Sequence, residues 1–294
     1  MSPVSVAVPR KGRPLEAVLE RFAQGAPAAA ATAIDEAVST LRYEKAVTKG
    51  DTTPEAPVYE RLARYSDTTT PHDPEFTLVR DSRAGFPRRI VFDSLTIPFA
   101  DREVQLVGRE EPFRALRKHE FALGFDSADL VLEEVVTLRD EPLCSLAEVN
   151  ERIDPVDTDV RLVDGLGDTV HHTLLATPET CDDGPLDRSY LRDYEGPLCI
   201  SPRYERLVEA IVGTGALDGV EFVYPTNGQE EEAAIAEAGA GVYLTVTGST
   251  AREHGLLVGD QLFPSETVLL ENAAESDEST AAVADRLFAL AEPA

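Results

Sequence analysis

The chain has 294 residues, 43% of them hydrophobic, enough for one large domain or two smaller ones with cores of their own. Its 54 acidic residues outweigh 27 basic ones for a formal charge of -27, and only Lys11, Lys45, Lys49 and Lys118 are lysines. Such a charge repels phosphate backbones and anionic lipid surfaces, which argues against nucleic-acid and membrane-surface partners.

The acid is spread along the chain with no like-charge block at either end, so it reads as an acidic surface rather than an interaction tail. An acidic, Lys-poor, Ala- and Val-rich composition resembles that of proteins of extreme halophiles, where concentrated salt screens self-repulsion. Cys144, Cys181 and Cys199 are odd in number, and their spacings of 37 and 18 match no metal pattern. They are expected to be small buried hydrophobes in a reducing compartment. No apolar run approaches the ~20 residues that span a bilayer, and the N-terminus lacks a secretory core. A soluble cytoplasmic protein is expected.

In chain order, "VSVAV" (4–8) reads as a buried strand and "PRKGR" as a basic turn. "PLEAVLERFAQG" follows as a helix with Leu15, Val18, Leu19 and Phe22 on one face and Gly25 as its stop. The stretch 28–74 begins with an Ala-rich helix, then turns polar and rich in Thr and Pro; it is expected to be a surface insertion with a short helix at "VYERLARY". "EFTLVRD" and "RRIVFDS" read as ordered segments. "REVQLVG" (strand), "REEPFRALRKHE" (helix), "FALGFDS" (strand) and "ADLVLEEVV" (helix) make a βαβα run. "DVRLVDGLG" and "TVHHTLLATP" read as a hairpin-like pair. "GPLCISP", "RYERLVEAIVGTG", "GVEFVYP", "QEEEAAIAEA" and "GVYLTVTGS" make a βαβαβ run. "DQLFPSETVLLENA" reads as one strand, and "DESTAAVADRLFALAE" as a helix capped by Asp277 or Ser279.

Two consecutive runs of this kind predict an α/β fold of two lobes, with ligands at the carboxyl ends of the strands. The expected division is 1–172 with 257–294 for the first lobe and 173–256 for the second. The sharpest chemical signal is Thr247-Gly248-Ser249-Thr250, a hydroxyl-rich Gly turn between a strand and a helix start. Backbone N–H groups and hydroxyls of such a turn suit an anion, although Ser/Thr capping of any strand-to-helix turn reads the same locally. His171 and His172 alternate on a strand, so they cannot chelate one metal together; one is expected in the core and one outside. His254 lies just beyond the turn, within reach of a ligand. "DGLGDT" (164–169) has no helix after it and is not read as a dinucleotide motif.

With Glu230, Ala238, Leu244, Thr247, Gly248 and Thr250 in register, "AGAGVYLTVTGSTAREHGL" resembles the phosphoribosyl pyrophosphate (PRPP) binding strand and turn of the ATP phosphoribosyltransferases, the first enzymes of histidine biosynthesis. "VAVPRKGRPLEAVLERF", the segment "QLVGREEPFRALRKHEFALGFDSADLVLEE", "GDTVHHTLLATPE" and "SETVLLEN" agree collinearly. The resemblance implies two α/β lobes of mixed or parallel sheet in a type II periplasmic-binding-protein arrangement, in a short form with no C-terminal regulatory domain. It further implies PRPP and ATP as substrates and Mg²⁺ as cofactor. In site terms it implies Thr247, Gly248, Ser249 and Thr250 on the 5′-phosphate, and Lys11 and Arg13 on pyrophosphate or ATP phosphates. Glu230 would take part of a ribose contact, with Asp126, Asp129 and Arg109 as further substrate-binding positions; Asp129 also reads as a helix cap. The departures are Gly239 and Tyr243 where the family has Asp, Gly241 for Ile, Ala236 for Gly, Ala251 for Leu, and Gly108 for an Arg that Arg109 replaces. A catalytically silent nucleotide- or sugar-phosphate-binding paralogue, and a PRPP-dependent transferase with another acceptor, stay open as alternatives; so does a homo-oligomer.

Overall fold

The computed structural model describes residues 2–66, 72–80, 88–99, 101–181, 184–226 and 228–289. The chain forms two compact units. One holds residues up to 126, 159–166 and from 267 on; the other holds 127–158 and 167–266.

The first unit contains β1 (Val4–Pro9), α1 (Gly12–Gly25), α2 (Ala28–Lys49), α3 (Val58–Tyr65), β2 (Glu75–Arg80), β3 (Arg88–Phe99), β4 (Arg102–Arg109), α4 (Pro112–Arg117) and β5 (Leu123–Ser127). Next in the chain comes α5 (Ala128–Glu134) of the second unit, and then β6 (Val160–Gly165) of the first. The second unit continues with β7 (Val170–Ala176), α6 (Arg188–Asp193), β8 (Gly196–Cys199), α7 (Glu205–Val212), β9 (Val220–Val223), α8 (Glu231–Ala238), β10 (Ala240–Thr245), α9 (Ser249–Glu253) and β11 (Leu257–Ser265). β12 (Thr267–Asn272) and α10 (Glu278–Ala289) return to the first.

Seven strands of the first unit run in the order β2-β3-β4-β1-β5-β12-β6. β1 is parallel to β4 and β5, with Val6 opposite Leu106 on one side and Leu123 on the other. A strand covered on both faces wants an unbroken apolar run, which "VAV" supplies. Val6, Ala7 and Val8 are all fully buried. The expected stripe of α1, Leu15, Val18, Leu19 and Phe22, is buried against this sheet, with Phe22 edge-on to Phe99 at 5.0 Å and to Phe125 at 6.2 Å. Asp277 caps α10, its Oδ1 accepting from the N–H groups of Ser279 (2.8 Å) and Thr280 (2.9 Å).

Three expectations change. The stretch 28–74 is only in part a surface segment: residues 49–55 are exposed, but α2 runs unbroken to Lys49 and buries Ala30, Ile34, Ala37, Val38 and Leu41 in the core of the first unit. Its polar residues mislead because they are paired inside. Arg61 of α3 donates from Nε and Nη2 to the two Glu44 carboxylate oxygens at 2.8 and 2.9 Å, and the Tyr65 hydroxyl donates to Glu44 at 3.1 Å. Nor do β6 and β7 form a hairpin. β6 pairs antiparallel with β12 in the first sheet, while β7 pairs with β10 and β11 in the second. Likewise "DQLFPSETVLLENA" is two strands, β11 and β12, split at Glu266 between the two sheets.

The second sheet has the order β11-β7-β10-β8-β9; β8, β9 and β10 are parallel, as the βαβαβ run predicts, and β7 and β11 are antiparallel additions. The fold is therefore α/β with two mixed sheets. The contact boundaries differ from the 172/173 and 256/257 divisions read from the sequence. α5 packs on α7 in the second unit, and β11 pairs with β7, so both 127–158 and 257–266 go with that sheet.

Candidate functional site

β10 ends in the hydroxyl-rich turn. Gly248 sits at φ +69°, and a Cβ there would come within 2.8 Å of Val258 Cγ2, so glycine is required on conformational and on steric grounds. The Thr247 hydroxyl donates to Ser249 Oγ (3.1 Å) and accepts from the Ser249 N–H (3.4 Å), while Arg252 Nη1 donates to the Thr247 carbonyl at 2.7 Å. Thr247, Ser249 and Thr250 are exposed and Gly248 is buried beneath them. One layer down, Thr245 and Thr173 share a buried hydroxyl–hydroxyl bond of 2.6 Å.

α8 precedes β10 and runs back along it, so its first turn lies at the same end of the strand. His254 and Glu230 are brought together there, Nε2 to Oε2 at 3.5 Å. Tyr243 packs its ring against the cluster of Leu175, Cys199 and Ile235, and it lines one small pocket together with Glu231. Burial first, then the charges of Glu231 and Glu232, push the Tyr243 phenol up to about 12.

The two positions where the resembling family carries Asp are not equivalent. Gly239 caps α8 at φ +97°, with Thr180 Cγ2 at 2.7 Å from where a Cβ would be. It stands at the start of β10, so at roughly 3.3 Å per residue it is about 25 Å from Thr247. Position 243 is the nearer of the two, about 13 Å from Thr247 on the same scale.

In the first unit the carboxyl ends of β1, β4 and β5 gather Lys11, Arg109 and Asp126 at one edge of the sheet. Lys11 Nζ is 3.5 Å from Glu110 Oε2 in a half-exposed pair, and Arg13 is exposed on the first turn of α1. Arg109 lies over the Phe121 ring (4.8 Å) and 4.0 Å from Glu120. Gly108 has no room for the arginine expected there, since its Cβ would sit 2.6 Å from the Phe92 carbonyl oxygen. Asp126 Oδ2 accepts from the Phe113 N–H at 2.9 Å and so holds the start of α4. A cleft of about 990 Å³ bounded by Val4, Pro27, Arg102 and Arg286 opens at the opposite, amino end of β1, away from the edge where ligands of such sheets sit.

Asp129 stands apart from both groups. It is buried in α5 of the second unit and does not cap that helix; Ser127 does, accepting from the Asp129 N–H at 3.3 Å. The Asp129 carboxylate contacts His172 Nε2 (3.0 Å) and accepts from Ser265 Oγ (2.9 Å). His172 is fully buried, edge-on to Tyr204, and His171 on the other face is half-buried, with burial the main cause of its lowered pKa. Burial also raises the Cys199 thiol to about 11, as befits a packed and unreactive cysteine, but Cys144 is exposed, contrary to the expectation that all three are buried.

Glu231 is the residue of this neighbourhood that sequence reading passes over. Its one signal is the acidic run "QEEE" at a helix start, which reads equally as a solvated face. Among the described residues no group of three or more His, Cys, Asp or Glu is placed to hold a metal ion by itself. No described helix is long and apolar enough to cross a membrane.

No curated protein sequence matches the chain. The solved ATP phosphoribosyl transferase (HisG:HisZ) complex from Thermotoga maritima is similar over 98% of this chain and 97% of that one, at 13% identity and a TM-score of 0.42. An ancestral arginine-binding protein bound to arginine is similar over 65% of this chain and 76% of its own, at 12% identity and a TM-score of 0.38. The ancestral amino acid-binding protein AncCDT-1, a precursor of cyclohexadienyl dehydratase, covers 65% and 73% at 12% identity and a TM-score of 0.36. In sequence, the family description "Halobacterial ATP phosphoribosyltransferase" matches residues 1–293. The chain therefore belongs to the halobacterial ATP phosphoribosyltransferase family, glycosyltransferases of histidine biosynthesis.

Proposed function

We propose that the chain transfers the phosphoribosyl group of PRPP to ATP and releases pyrophosphate. The observation that carries this reading is the turn Thr247–Thr250, where a left-handed glycine leaves three exposed hydroxyls around one backbone bend at the carboxyl end of β10. Such a bend suits a 5′-phosphate.

In the reaction, the bond from ribose C1 to the pyrophosphate oxygen breaks and a bond from C1 to an adenine ring nitrogen forms. The electron pair of the broken bond leaves with pyrophosphate, so the protein's task is to position both partners and neutralise that charge. Lys11, Arg13 and Arg109 are the cations assigned to pyrophosphate and to the ATP phosphates. The Lys11–Glu110 pair is half-exposed and weak enough to exchange its carboxylate for a phosphate. Mg²⁺ in sites of this kind is held by one or two carboxylates together with substrate phosphates. Glu230 would serve there, and Mg²⁺ would add charge neutralisation on the departing pyrophosphate. Asp126 supports this edge by holding α4, and Asp129 serves the second unit's interior rather than a ligand.

The test is turnover in molar KCl: ATP and PRPP should give phosphoribosyl-ATP and pyrophosphate. Tight PRPP binding without turnover would instead favour the silent binding paralogue, and turnover with a different nucleophile would favour another acceptor. Thr250→Val should raise the PRPP dissociation constant about tenfold, the loss of one hydrogen bond to a charged group; an unchanged constant removes the turn from the site.

A further inference from the structure

β1 and β4 run parallel, and both end at the edge of the first sheet where ligands of such sheets sit. Arg10 is the first residue beyond β1, and its backbone carbonyl accepts from the Phe92 N–H at 3.1 Å. Its side chain crosses to the end of β4, where Nε donates to the Gly108 carbonyl at 3.0 Å. Gly108 is the residue that allows this. A Cβ there would lie 2.9 Å from Arg10 Cγ, besides meeting the Phe92 carbonyl oxygen. The glycine that stands where the resembling family has arginine thus makes room for an arginine from the neighbouring strand end.

The basic side chains of this edge differ in how firmly they are held. Lys11 is half-exposed in its 3.5 Å pair with Glu110, and Arg109 lies on the Phe121 ring with Glu120 4.0 Å away. Arg10 is only 21% exposed, with its stem packed on Gly108 and its Nε committed. Its other contact is Nη2 to Asp93 Oδ1 at 3.5 Å, and that carboxylate is 41% exposed. A guanidinium carries more N–H donors than these two contacts use. What remains is a planar cation, fixed in place, whose loose surface carboxylate an anion of higher charge can displace.

Resting on the phosphoribosyl reading, we propose that Arg10 binds the pyrophosphate group of PRPP, and the pyrophosphate that leaves, supplying the arginine that position 108 lacks. Two adjacent phosphoryl groups offer several oxygens within the span of one guanidinium, so the fork can contact both. A tethered fork has lost much of its side-chain freedom before the anion arrives, so it loses less on binding than the looser Lys11 does. Arg10 is then a binding residue, and Gly108 the residue that gives it room.

The experiment titrates the full chain calorimetrically in molar KCl, with Mg²⁺ in the buffer, using pyrophosphate and ribose 5-phosphate. Arg10→Gln should raise the pyrophosphate dissociation constant about tenfold, the worth of a hydrogen bond to a charged group. It should leave ribose 5-phosphate, assigned to the turn of the second unit, unchanged. Arg10→Lys keeps the charge without the fork and should recover part of the loss. Unchanged pyrophosphate binding in Arg10→Gln overturns the inference, as does equal weakening of both probes, which is what a merely structural role would produce. A wild type that binds ribose 5-phosphate but no pyrophosphate overturns the inference alone, whereas one that binds neither takes the phosphoribosyl reading down as well. Should Arg10→Gln fail to fold, the wild type decides by itself. Pyrophosphate should protect Arg10 from modification by phenylglyoxal, read by peptide mass spectrometry, and equal modification with and without it overturns the inference.

Discussion

Restoring the missing aspartate at position 239 should harm this protein rather than improve it. Gly239 holds φ at +97°, and a Cβ there would meet Thr180 Cγ2 at 2.7 Å. The Gly239 carbonyl is also tied down, accepting from the Thr180 hydroxyl (2.7 Å) and the Thr177 N–H (2.8 Å), so the backbone has little freedom to relax. Holding a non-glycine residue in that conformation costs about 1–3 kcal/mol, and the steric overlap about 1–3 kcal/mol more. Gly239→Asp should therefore lose about 2–6 kcal/mol of folding stability by these two contributions together. It should gain no affinity for ribose 5-phosphate, because the new carboxylate enters at the far end of β10 from the turn. The assay is guanidinium denaturation at constant ionic strength, paired with calorimetric titration of the sugar phosphate. The double variant Thr180→Ala/Gly239→Asp should recover the overlap portion but not the conformational one. An unchanged denaturation midpoint for Gly239→Asp, or tighter sugar-phosphate binding, would refute the reasoning.

Glu44→Gln removes one charge from a buried bidentate pair and should cost about 3 kcal/mol, whereas replacing both Glu44 and Arg61 with apolar residues of similar volume should be close to neutral; denaturation midpoints of the three proteins decide it. Asp129→Asn should lower the melting temperature by weakening the contacts to His172 and Ser265, while leaving the phosphate dissociation constant unchanged. A changed phosphate affinity at unchanged stability would return Asp129 to the ligand site. Stability should also fall at alkaline pH. Cys199 is raised from 9.0 to about 11, and Tyr65, Tyr204 and Tyr243 from 10.0 to about 12, chiefly by burial. The folded state therefore keeps protons that the unfolded chain gives up. Their contribution is complete below pH 9 and is lost between 9 and 12. A denaturation midpoint flat across that window would contradict the burial of these groups.

Much of the architecture is legible because its signals are local. The α1 stripe, the Asp277 cap and the "VYERLARY" helix each follow from spacing within a dozen residues, and the parallel β8–β9–β10 run from the alternation of such short segments. The turn is legible for the same reason, since Gly248 needs its left-handed conformation whatever surrounds it. The surroundings of Tyr243 are not legible: in sequence the residue reads as a lost carboxylate, and only the fold packs its ring among Leu175, Cys199 and Ile235.

The sequence by itself determined the charge, the element types, the hydroxyl-rich turn and the collinear motifs that point to the family. These depend on side-chain chemistry and on helix or strand periodicity, both of which a short window contains. Only the tertiary structure decided which sheet takes each crossing strand, so that β6 and β12 close one sheet while β7 and β11 join the other. It alone placed α2 in the core, closed positions 239 and 241 to side chains, and set Glu231 beside Tyr243. Strand partnership and side-chain room are properties of distant backbone, and an alternating pattern of apolar residues says only that a strand has a buried face, not what will cover it.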